Sequence, residues 1–339
     1  MKFDYCIGNP PYQMPSIGDK PSDESIYNYF MDAAYSISNR VELITPARFL
    51  FNGGNTPKKW NEERLNDKHF KVLKYEPDSK LFFSNTDIKG GIAITYRDAN
   101  VSFGAINTFT AFRELNSILK KVKNIDNTSI TNVIFNQNKF NLDTLYVDYP
   151  ILKNKISSDG KERRMTSGCL SYDCFLDEKR SENDICILGV VNNKRIYKYI
   201  SSKYVETPHE NLNKYKVILP ANNGSGALGE VLSTPLIGEP LIGYTQTFIS
   251  IGEFDLRCDA ENALKYVKSK FARVMLGILK ITQNGKKETW KHVPIQDFTN
   301  NSDIDWSKSI HEIDLQLYKK YGLDETEINF IETNVKSME

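Results

Sequence analysis

Apolar and polar residues alternate with two different periods over the first hundred residues. The run FDYCI, residues 3–7, predicts a short strand that ends at Gly8, and VELIT, residues 41–45, predicts a buried strand closed by Pro46. Between these two strands, the apolar residues of SIYNYFMDAAYSI, residues 25–37, recur with the spacing of a helix. We expect one face of this helix to be buried, comprising Ile26, Phe30, Ala33, Ala34 and Ile37.

The pattern continues beyond this first unit of strand, helix and strand. A loop with Gly53 and Gly54 precedes a predicted helix at residues 58–66 and a predicted strand at residues 70–75. The stretch TDIKGGIAITYRD then alternates large apolar residues with smaller ones. Strands separated by helices usually pair in parallel, so this order predicts a parallel α/β sheet within residues 1–104.

The pattern changes after residue 104, where Asn, Ser, Thr, Lys and Tyr become frequent. Short strands are predicted at residues 184–191 and 216–221, which indicates an irregular α+β domain over residues 105–300. Its most regular element is a helix at residues 260–281. The predicted apolar face of that helix comprises Leu264, Val267, Phe271, Val274, Met275 and Ile278.

Residues 301–339 predict a C-terminal helical hairpin. Gly322 fits the position just after the first of its helices. Each helix is expected to begin with a capping box, formed by Ser309 with Glu312 and by Asp324 with Glu327.

The net charge of +1 argues against a protein that binds nucleic acid over its whole surface. Residues 301–339 carry nine acidic and four basic side chains, so the rest of the chain has a net charge of +6. Each basic cluster fits either a solvated surface or a contact to phosphate. The clusters are Lys120, Lys121 and Lys123; Lys161, Arg163 and Arg164; and Lys286 and Lys287.

Cysteine usage and hydropathy indicate a cytoplasmic protein without a membrane span. The five cysteines form no CxxC pair, so we expect free thiols and no structural zinc. No apolar run approaches about 18 residues, and the first residues lack the character of a signal peptide.

The stretch CIGNPPYQ contains the candidate catalytic residues. An amino group conjugated to a nucleobase is a poor nucleophile, and two hydrogen-bond acceptors around its N–H groups turn the lone pair toward an electrophile. The Asn9 side chain and the Pro10 carbonyl fit these acceptors, and Pro11 holds Pro10 in an extended conformation. Tyr12 offers a stacking surface for a base rotated out of a duplex. The alternative is that NPPY is only a tight turn after a strand.

Several segments resemble the DNA adenine-N6 methyltransferases of restriction-modification systems that have a fused target-recognition domain. They are FDYCIGNPPYQ, LITPARFL, LFFSNTDIKGGIAITYRD, KFARVMLGILKITQN, VPIQDF and WSKSIHEIDLQLYKKYGL. The resemblance implies a partial Rossmann-like methyltransferase sheet followed by a target-recognition domain. It further implies S-adenosylmethionine as cofactor and double-stranded DNA as substrate.

The resemblance also assigns roles to individual residues. Asn9 and Pro10 would accept from the adenine amino group, and Tyr12 would stack on the flipped base. Phe83 would form the opposing aromatic wall, or alternatively pack in the core beside Leu81. Lys89 would approach the DNA backbone, or alternatively be a solvated lysine in a hairpin.

The sequence departs from this family in its cofactor-binding half. The glycine-rich loop that holds S-adenosylmethionine normally precedes NPPY by many tens of residues, whereas eight residues precede Asn9 here. We therefore expect a second polypeptide to carry the cofactor-binding half. A permuted order is the alternative, with Gly224 and Gly226 in VILPANNGSGALGE, residues 217–230, as weak candidates for the loop.

Two other functions remain open. The chain fits a noncatalytic, sequence-specific DNA-binding subunit that retains NPPY as a relic. Methylation of protein glutamine or of RNA also uses NPPY loops, although the recognition-like region after residue 104 disfavours it.

Overall fold

The computed structural model describes residues 3–14, 24–53, 55–84, 88–156, 160–206 and 211–339. The chain is a mixed α/β protein with several sheets, and it divides into two compact units, Met1–Arg113 and Glu114–Glu339. Within the described ranges, no helix is long and apolar enough to cross a membrane. Gly54 and part of the LFFSNTD stretch lie outside these ranges.

The first unit is built on a four-stranded sheet. Its strands and those of a short ladder beside it are β1 (Phe3–Gly8), β2 (Gln13–Met14), β3 (Glu24–Ser25), β4 (Ser38–Pro46), β5 (Phe70–Glu76) and β6 (Ile92–Asp98). The order in the sheet is β1–β4–β6–β5, and β2 pairs with β3. β1 and β4 pair in parallel, as the sequence predicts. The expectation of parallel pairing for the remaining strands is wrong, because β6 runs antiparallel to both β4 and β5.

The connection between β5 and β6 explains this difference. Parallel neighbours need a long crossover, usually a helix, whereas the described part of this connection contains only the 3₁₀ turn Ser79–Leu81 and a tight turn at Gly90 and Gly91. β1, β4 and β5 nevertheless run in one direction. Their carboxyl ends therefore lie at the same edge of the sheet.

Helices α1 (Tyr27–Ile37) and α2 (Lys58–Asn66) cover one face of this sheet. The predicted buried face of α1 is wrong, because Phe30, Ala33 and Ile37 are exposed. The helix carries two apolar stripes, and periodicity alone does not select between them. The stripe that enters the core with α2 and the strands comprises Tyr27, Met31 and Ala34, packed with Val41, Leu43, Phe49, Trp60, Leu65 and Phe70.

The compact first unit extends beyond residue 104. Ile106 and Phe109 pack on its core, so the chain leaves this unit only near Arg113. The functional division at residues 104 and 300 stays a prediction.

The second unit contains two main sheets. Its strands are β7 (Ile134–Phe135), β8 (Asp184–Val191), β9 (Lys194–Ser201), β10 (Tyr215–Pro220), β11 (Leu236–Gly238), β12 (Ile242–Tyr244) and β13 (Phe248–Phe254). One sheet has the order β11–β10–β13–β7 and the other β12–β8–β9. The strands predicted at residues 184–191 and 216–221 are confirmed as β8 and β10.

Helices surround these sheets. They are α3 (Arg113–Ile125), α4 (Leu142–Asp148), α5 (Leu152–Lys155), α6 (Arg257–Lys268), α7 (Lys270–Gly277), α8 (Ile310–Lys320) and α9 (Glu325–Asn334). The single helix predicted at residues 260–281 is wrong, because it is broken between α6 and α7. Ser269 has extended ψ and caps α7 by accepting from the Ala272 N–H at 3.0 Å. The Asp314 carboxylate accepts from the N–H groups of Lys270 and Phe271 and fixes the same break.

The C-terminal hairpin is confirmed, with both predicted capping boxes present at α8 and α9. Gly322 has a φ of +61° between the helices, a conformation that favours glycine. The hairpin shares a core with the rest of the second unit. The Tyr321 ring stacks on Phe271, with centroids 4.9 Å apart.

Candidate functional site

The NPPY loop begins where β1 ends. β1 is fixed by its parallel ladder with β4, in which Gly8 lies opposite Leu43. After the loop, the Ile26 N–H donates to the Tyr12 carbonyl at 3.1 Å, and β2 pairs with β3. The loop is thus held at both ends, at the edge of the sheet where α/β proteins bind ligands.

Asn9 and Pro10 carry the predicted acceptors. Asn9 is exposed, and Pro10 is half-buried. Within the described part of the chain, no hydrogen bond reaches the Asn9 side chain or the Pro10 carbonyl. Neither oxygen is therefore occupied by a described hydrogen-bond donor.

Tyr12 is half-buried against the core of the first unit. Its hydroxyl is buried, and no described group hydrogen-bonds it. Burial raises the pKa of Tyr12 to about 12, so the phenol stays protonated at neutral pH. Its ring can act as a neutral stacking surface.

Phe83 lies against Tyr12, with ring centroids 6.3 Å apart and planes inclined by 71°. Its N–H donates to the Ser79 carbonyl at 2.9 Å, which fixes its backbone after the 3₁₀ turn. Leu81 is 72% exposed, so the alternative of Phe83 packing in a core beside Leu81 does not fit. The two rings meet edge to face, and a base would stack between them only after Phe83 rotates.

Lys89 is exposed in the turn before β6. Gly90 and Gly91 have φ values of +87° and +76°, and a Cβ atom on Gly91 would lie 2.3 Å from the Glu76 carbonyl oxygen. The Ala47 N–H donates to the Gly91 carbonyl at 3.0 Å. These contacts place the Lys89 turn beside the ends of β4 and β5, at the same edge as the NPPY loop.

Sequence reasoning missed a cation and three aromatic rings at this edge. Arg48 is exposed directly after β4, and a Cβ atom on Gly90 would lie 2.4 Å from its Cγ. Phe51, Tyr75 and Phe109 form a mutual cluster with centroids 5.4 to 5.6 Å apart. The position of Arg48 and Phe51 just after a predicted strand end was the available signal. Nothing in the sequence links Phe109 to this edge.

The cluster of Lys161, Arg163 and Arg164 lies in the second unit. Lys161 and Arg164 line one cavity, whereas Arg163 points to the Glu206 carboxylate, 3.4 Å away. Arg163 is therefore partly neutralised.

The remaining basic clusters differ in how strongly their charges are paired. Lys121 donates to Glu327 at 2.6 Å and to Asp324 at 3.2 Å, so its charge is paired with carboxylates of the second unit. Lys286 is exposed and Lys287 half-buried at the start of a 3₁₀ turn, Lys287–Trp290. These two stay candidates for phosphate contact.

The loop with Gly224 and Gly226 does not fit S-adenosylmethionine. It follows β10, which pairs antiparallel with both of its neighbours. The N–H groups of Ser225 and Gly226 already donate to the Glu230 carboxylate, at 2.8 and 3.0 Å. A Cβ atom on Gly226 would lie 2.2 Å from the Thr282 nitrogen, so glycine is needed at this position for the close approach of the two backbone segments. This geometry argues against the permuted alternative.

The described residues contain no group of three or more His, Cys, Asp or Glu side chains that could hold a metal ion. The five cysteines are free thiols. Burial raises the pKa of Cys174 to about 12 and that of Cys186 to about 11, so neither thiol is activated.

Comparison with known proteins adds family information for the first unit. Residues 1–83 match the family model described as Eco57I restriction-modification methylase. An uncharacterized adenine-specific methylase of Mycoplasma pneumoniae is 33% identical over 95 residues, which span 27% of this chain and 22% of the relative. The type IIG restriction endonuclease BpuSI matches at a TM-score of 0.36 and 11% identity, over 92% of this chain and 48% of that protein. The family match ends at Phe83 and includes the whole NPPY loop.

Proposed function

We propose that this chain methylates the N6 amino group of adenine in DNA, within a restriction-modification system. One observation carries the proposal. Residues 1–83 match a restriction-modification methylase family, and within them Asn9 and Pro10 closely precede Tyr12, whose ring lies against Phe83. Acceptors for an amino group beside a stacking surface suit a flipped adenine.

Each residue of the loop has a role in this chemistry. The Asn9 side-chain oxygen and the Pro10 carbonyl accept from the two amino N–H groups, which turns the nitrogen lone pair toward the methyl donor. Pro11 holds the Pro10 carbonyl in place. Tyr12 stacks on the base, and Phe83 rotates from its edge-to-face position to close the other side.

S-adenosylmethionine is the proposed methyl donor. Because the Gly224 and Gly226 loop does not fit it, we propose that a second polypeptide holds it beside the NPPY loop. The edge strand β1 supports such a partner, since Phe3, Tyr5 and Ile7 are 50, 44 and 73% exposed on it. An apolar strand with one unpaired edge favours the addition of another strand.

The second unit is proposed to recognise the DNA target. Lys161, Arg164, Lys286 and Lys287 are its candidate contacts, while Arg48 and Lys89 would meet the backbone near the flipped base. Contacts of lysine and arginine with phosphate make binding weaker at high salt.

The deciding experiment compares the wild-type chain with Asn9→Ala. The chain is assayed alone and co-expressed with the polypeptide encoded next to it, by transfer of labelled methyl groups to duplex DNA. We expect Asn9→Ala to abolish transfer while DNA binding is retained. Absence of transfer by every assembly, with specific DNA binding intact, would instead establish a noncatalytic DNA-binding subunit.

The partner is tested separately by calorimetry with S-adenosylmethionine. We expect no binding to the chain alone and binding to the assembly. If the chain alone binds the cofactor and methylates DNA, the partner proposal fails and the methyltransferase proposal stands.

A further inference from the structure

Two basic clusters that lie far apart in the sequence meet in the second unit. The segment that follows α3 pairs with the segment that follows the 3₁₀ turn Lys287–Trp290. The Ile130 N–H donates to the Val293 carbonyl at 2.9 Å, and an antiparallel bridge forms beside this bond. The end of α3 is thereby held near the turn. The lysines of residues 120–123 and of residues 286–291 therefore share one region of the surface.

Two of these lysines come close enough for their charges to repel each other. Partial desolvation and the Lys291 ammonium together lower the pKa of Lys123. Both ammonium groups also act on His292, which is buried between the two segments' ends of the core. Burial and these two charges lower the pKa of His292 to about 4, so its ring is neutral at pH 7.

Most lysines of this region are left unpaired by the fold. Among the described residues, five of them form no ion pair with a carboxylate, and we call these five the basic surface: Lys120, Lys123, Lys286, Lys287 and Lys291. Lys121 is different, because it pairs with Asp324 and Glu327.

The same two segments contain few acidic residues to balance these charges. They are Asp126 and Glu288, of which Asp126 accepts from the Thr128 N–H at 2.8 Å in its own turn. Five lysines therefore face two carboxylates. A fold that holds like charges together without countercharge favours binding of an anion from outside.

The spread of the basic surface indicates the kind of anion. One phosphate can meet two lysines, whereas five lysines on two backbone segments match a row of phosphates. A DNA duplex carries one negative charge per about 1.7 Å of its axis, so it supplies such a row. Lysine suits phosphate as a point charge that does not demand one fixed geometry.

We propose that the basic surface binds the phosphate backbone of duplex DNA, with Lys123 and Lys291 as paired contacts. The inference rests on the proposed function, in which DNA is the substrate. It adds Lys120, Lys123 and Lys291 to the recognition proposed for the second unit. Contacts of this kind position a protein on DNA and do not read its sequence.

The test measures binding of duplex DNA to the full chain, and to its co-expressed assembly, by fluorescence anisotropy at several salt concentrations. Lys123→Ala and Lys291→Ala should each lower the slope of log K against log salt by about 0.9 and weaken binding about three- to tenfold at 0.1 M salt. The loss should be the same for duplexes of different sequence. Lys319→Ala is the matched control, because Lys319 is an exposed lysine on α8 in the acidic C-terminal hairpin, and it should bind like wild type.

A second readout separates a binding role from a structural one. Lys291→Ala removes a repelling charge, so it should raise the pKa of His292 in histidine NMR spectra and leave the thermal unfolding temperature unchanged or higher. Bound DNA should also raise the pKa of His292 in the wild type, because its phosphates offset the two ammonium charges. A lower unfolding temperature together with a normal salt slope would assign Lys291 a structural role and overturn the proposal.

The outcomes also separate this proposal from methyl transfer. If the folded Lys123→Ala and Lys291→Ala variants keep the wild-type salt slope while Asn9→Ala abolishes transfer, the basic surface is wrong and the methyltransferase proposal stands. If both lysine variants lose affinity as expected and no assembly transfers methyl groups, the basic surface stands and the methyltransferase proposal fails. Absence of DNA binding by the chain and by its assembly overturns the basic surface.

Discussion

The Lys280 ammonium donates to the Glu230 carboxylate inside the second unit, where the two side chains are 4% and 16% exposed. The same carboxylate accepts from the Ser225 and Gly226 N–H groups, and Lys280 also donates to the Asn223 carbonyl at 2.8 Å. Burial opposes ionisation of Glu230, yet Lys280 and the two N–H groups hold its pKa below the usual range. The GSG loop is therefore ordered around an internal anion.

Replacing Lys280 with methionine should destabilise the protein. The change leaves a buried carboxylate without its countercharge, and breaking such a pair costs about 3–5 kcal/mol. Urea denaturation should show this loss near pH 7. The loss should shrink as the pH falls, because the variant carboxylate, no longer held ionised by Lys280, takes up a proton and the unpaired charge disappears, while the wild-type carboxylate stays ionised until the pH reaches its lowered pKa. Lys286→Met, at an exposed lysine nearby, should leave stability unchanged.

Lys216 should make stability rise with pH above neutrality. Its side chain is fully buried, and burial lowers its pKa to about 7, although its ammonium donates to the carbonyls of Asn211, Leu212 and Ile242. Between pH 7 and the unfolded pKa near 10.5, the unfolded chain binds the extra proton, so the free energy of unfolding increases with pH.

The difference between wild type and Lys216→Met isolates this effect, since other groups titrate alike in both. We expect the wild type to gain on the order of a few kcal/mol relative to the variant from pH 7 to pH 10. A constant difference across that window would show that Lys216 stays protonated in the folded protein.

Substitutions at Tyr12 should separate stacking from hydrogen bonding. Tyr12→Phe keeps the ring and removes a buried hydroxyl that no described group pairs with, so methyl transfer and stability should be retained. Tyr12→Ala removes the stacking surface, which is worth about 1–3 kcal/mol per base, and should lower kcat/KM about 10- to 100-fold. Loss of activity in Tyr12→Phe would instead assign the hydroxyl a role at the base.

The exposed edge of β1 should matter for assembly and not for folding. Ile7→Lys places a charge on the proposed partner surface and should weaken assembly at least about tenfold, since burying an isoleucine contributes about 1.5–3 kcal/mol. Leu73→Lys is the matched control, because Leu73 is exposed on β5 at the opposite edge of the same sheet. Size-exclusion chromatography of the co-expressed assembly gives the result. Equal effects of both substitutions would contradict a β1-specific interface.

The local elements of the fold could largely be predicted from sequence. The helix at Lys58–Asn66 matches its prediction, and both C-terminal capping boxes form, because these signals lie within a few neighbouring residues. The antiparallel insertion of β6 could not be predicted, since it depends on which strands meet in three dimensions. The break at Ser269 is fixed by Asp314, 45 positions later in the chain.

The candidate site, too, could be predicted from sequence only in part. NPPY is a contiguous motif, and its four residues could be selected from sequence alone. The contact between Tyr12 and Phe83 rested on resemblance, because no local pattern joins residues so far apart. Arg48 was missed, since its position after a strand end is a weak signal, and only the sheet order shows that this strand end lies at the same edge of the sheet as the NPPY loop.

The C-terminal hairpin has a consequence for how the protein is made. Lys121, in the first helix of the second unit, pairs with Glu327 in its last helix, and the Arg273 guanidinium donates to the Lys336 carbonyl. On the ribosome, the first unit can close while translation continues. The second cannot complete its core until α9 has emerged, since Ile331 and Val335 are buried in that core. That interval is when nascent chains are most exposed to aggregation and to chaperones.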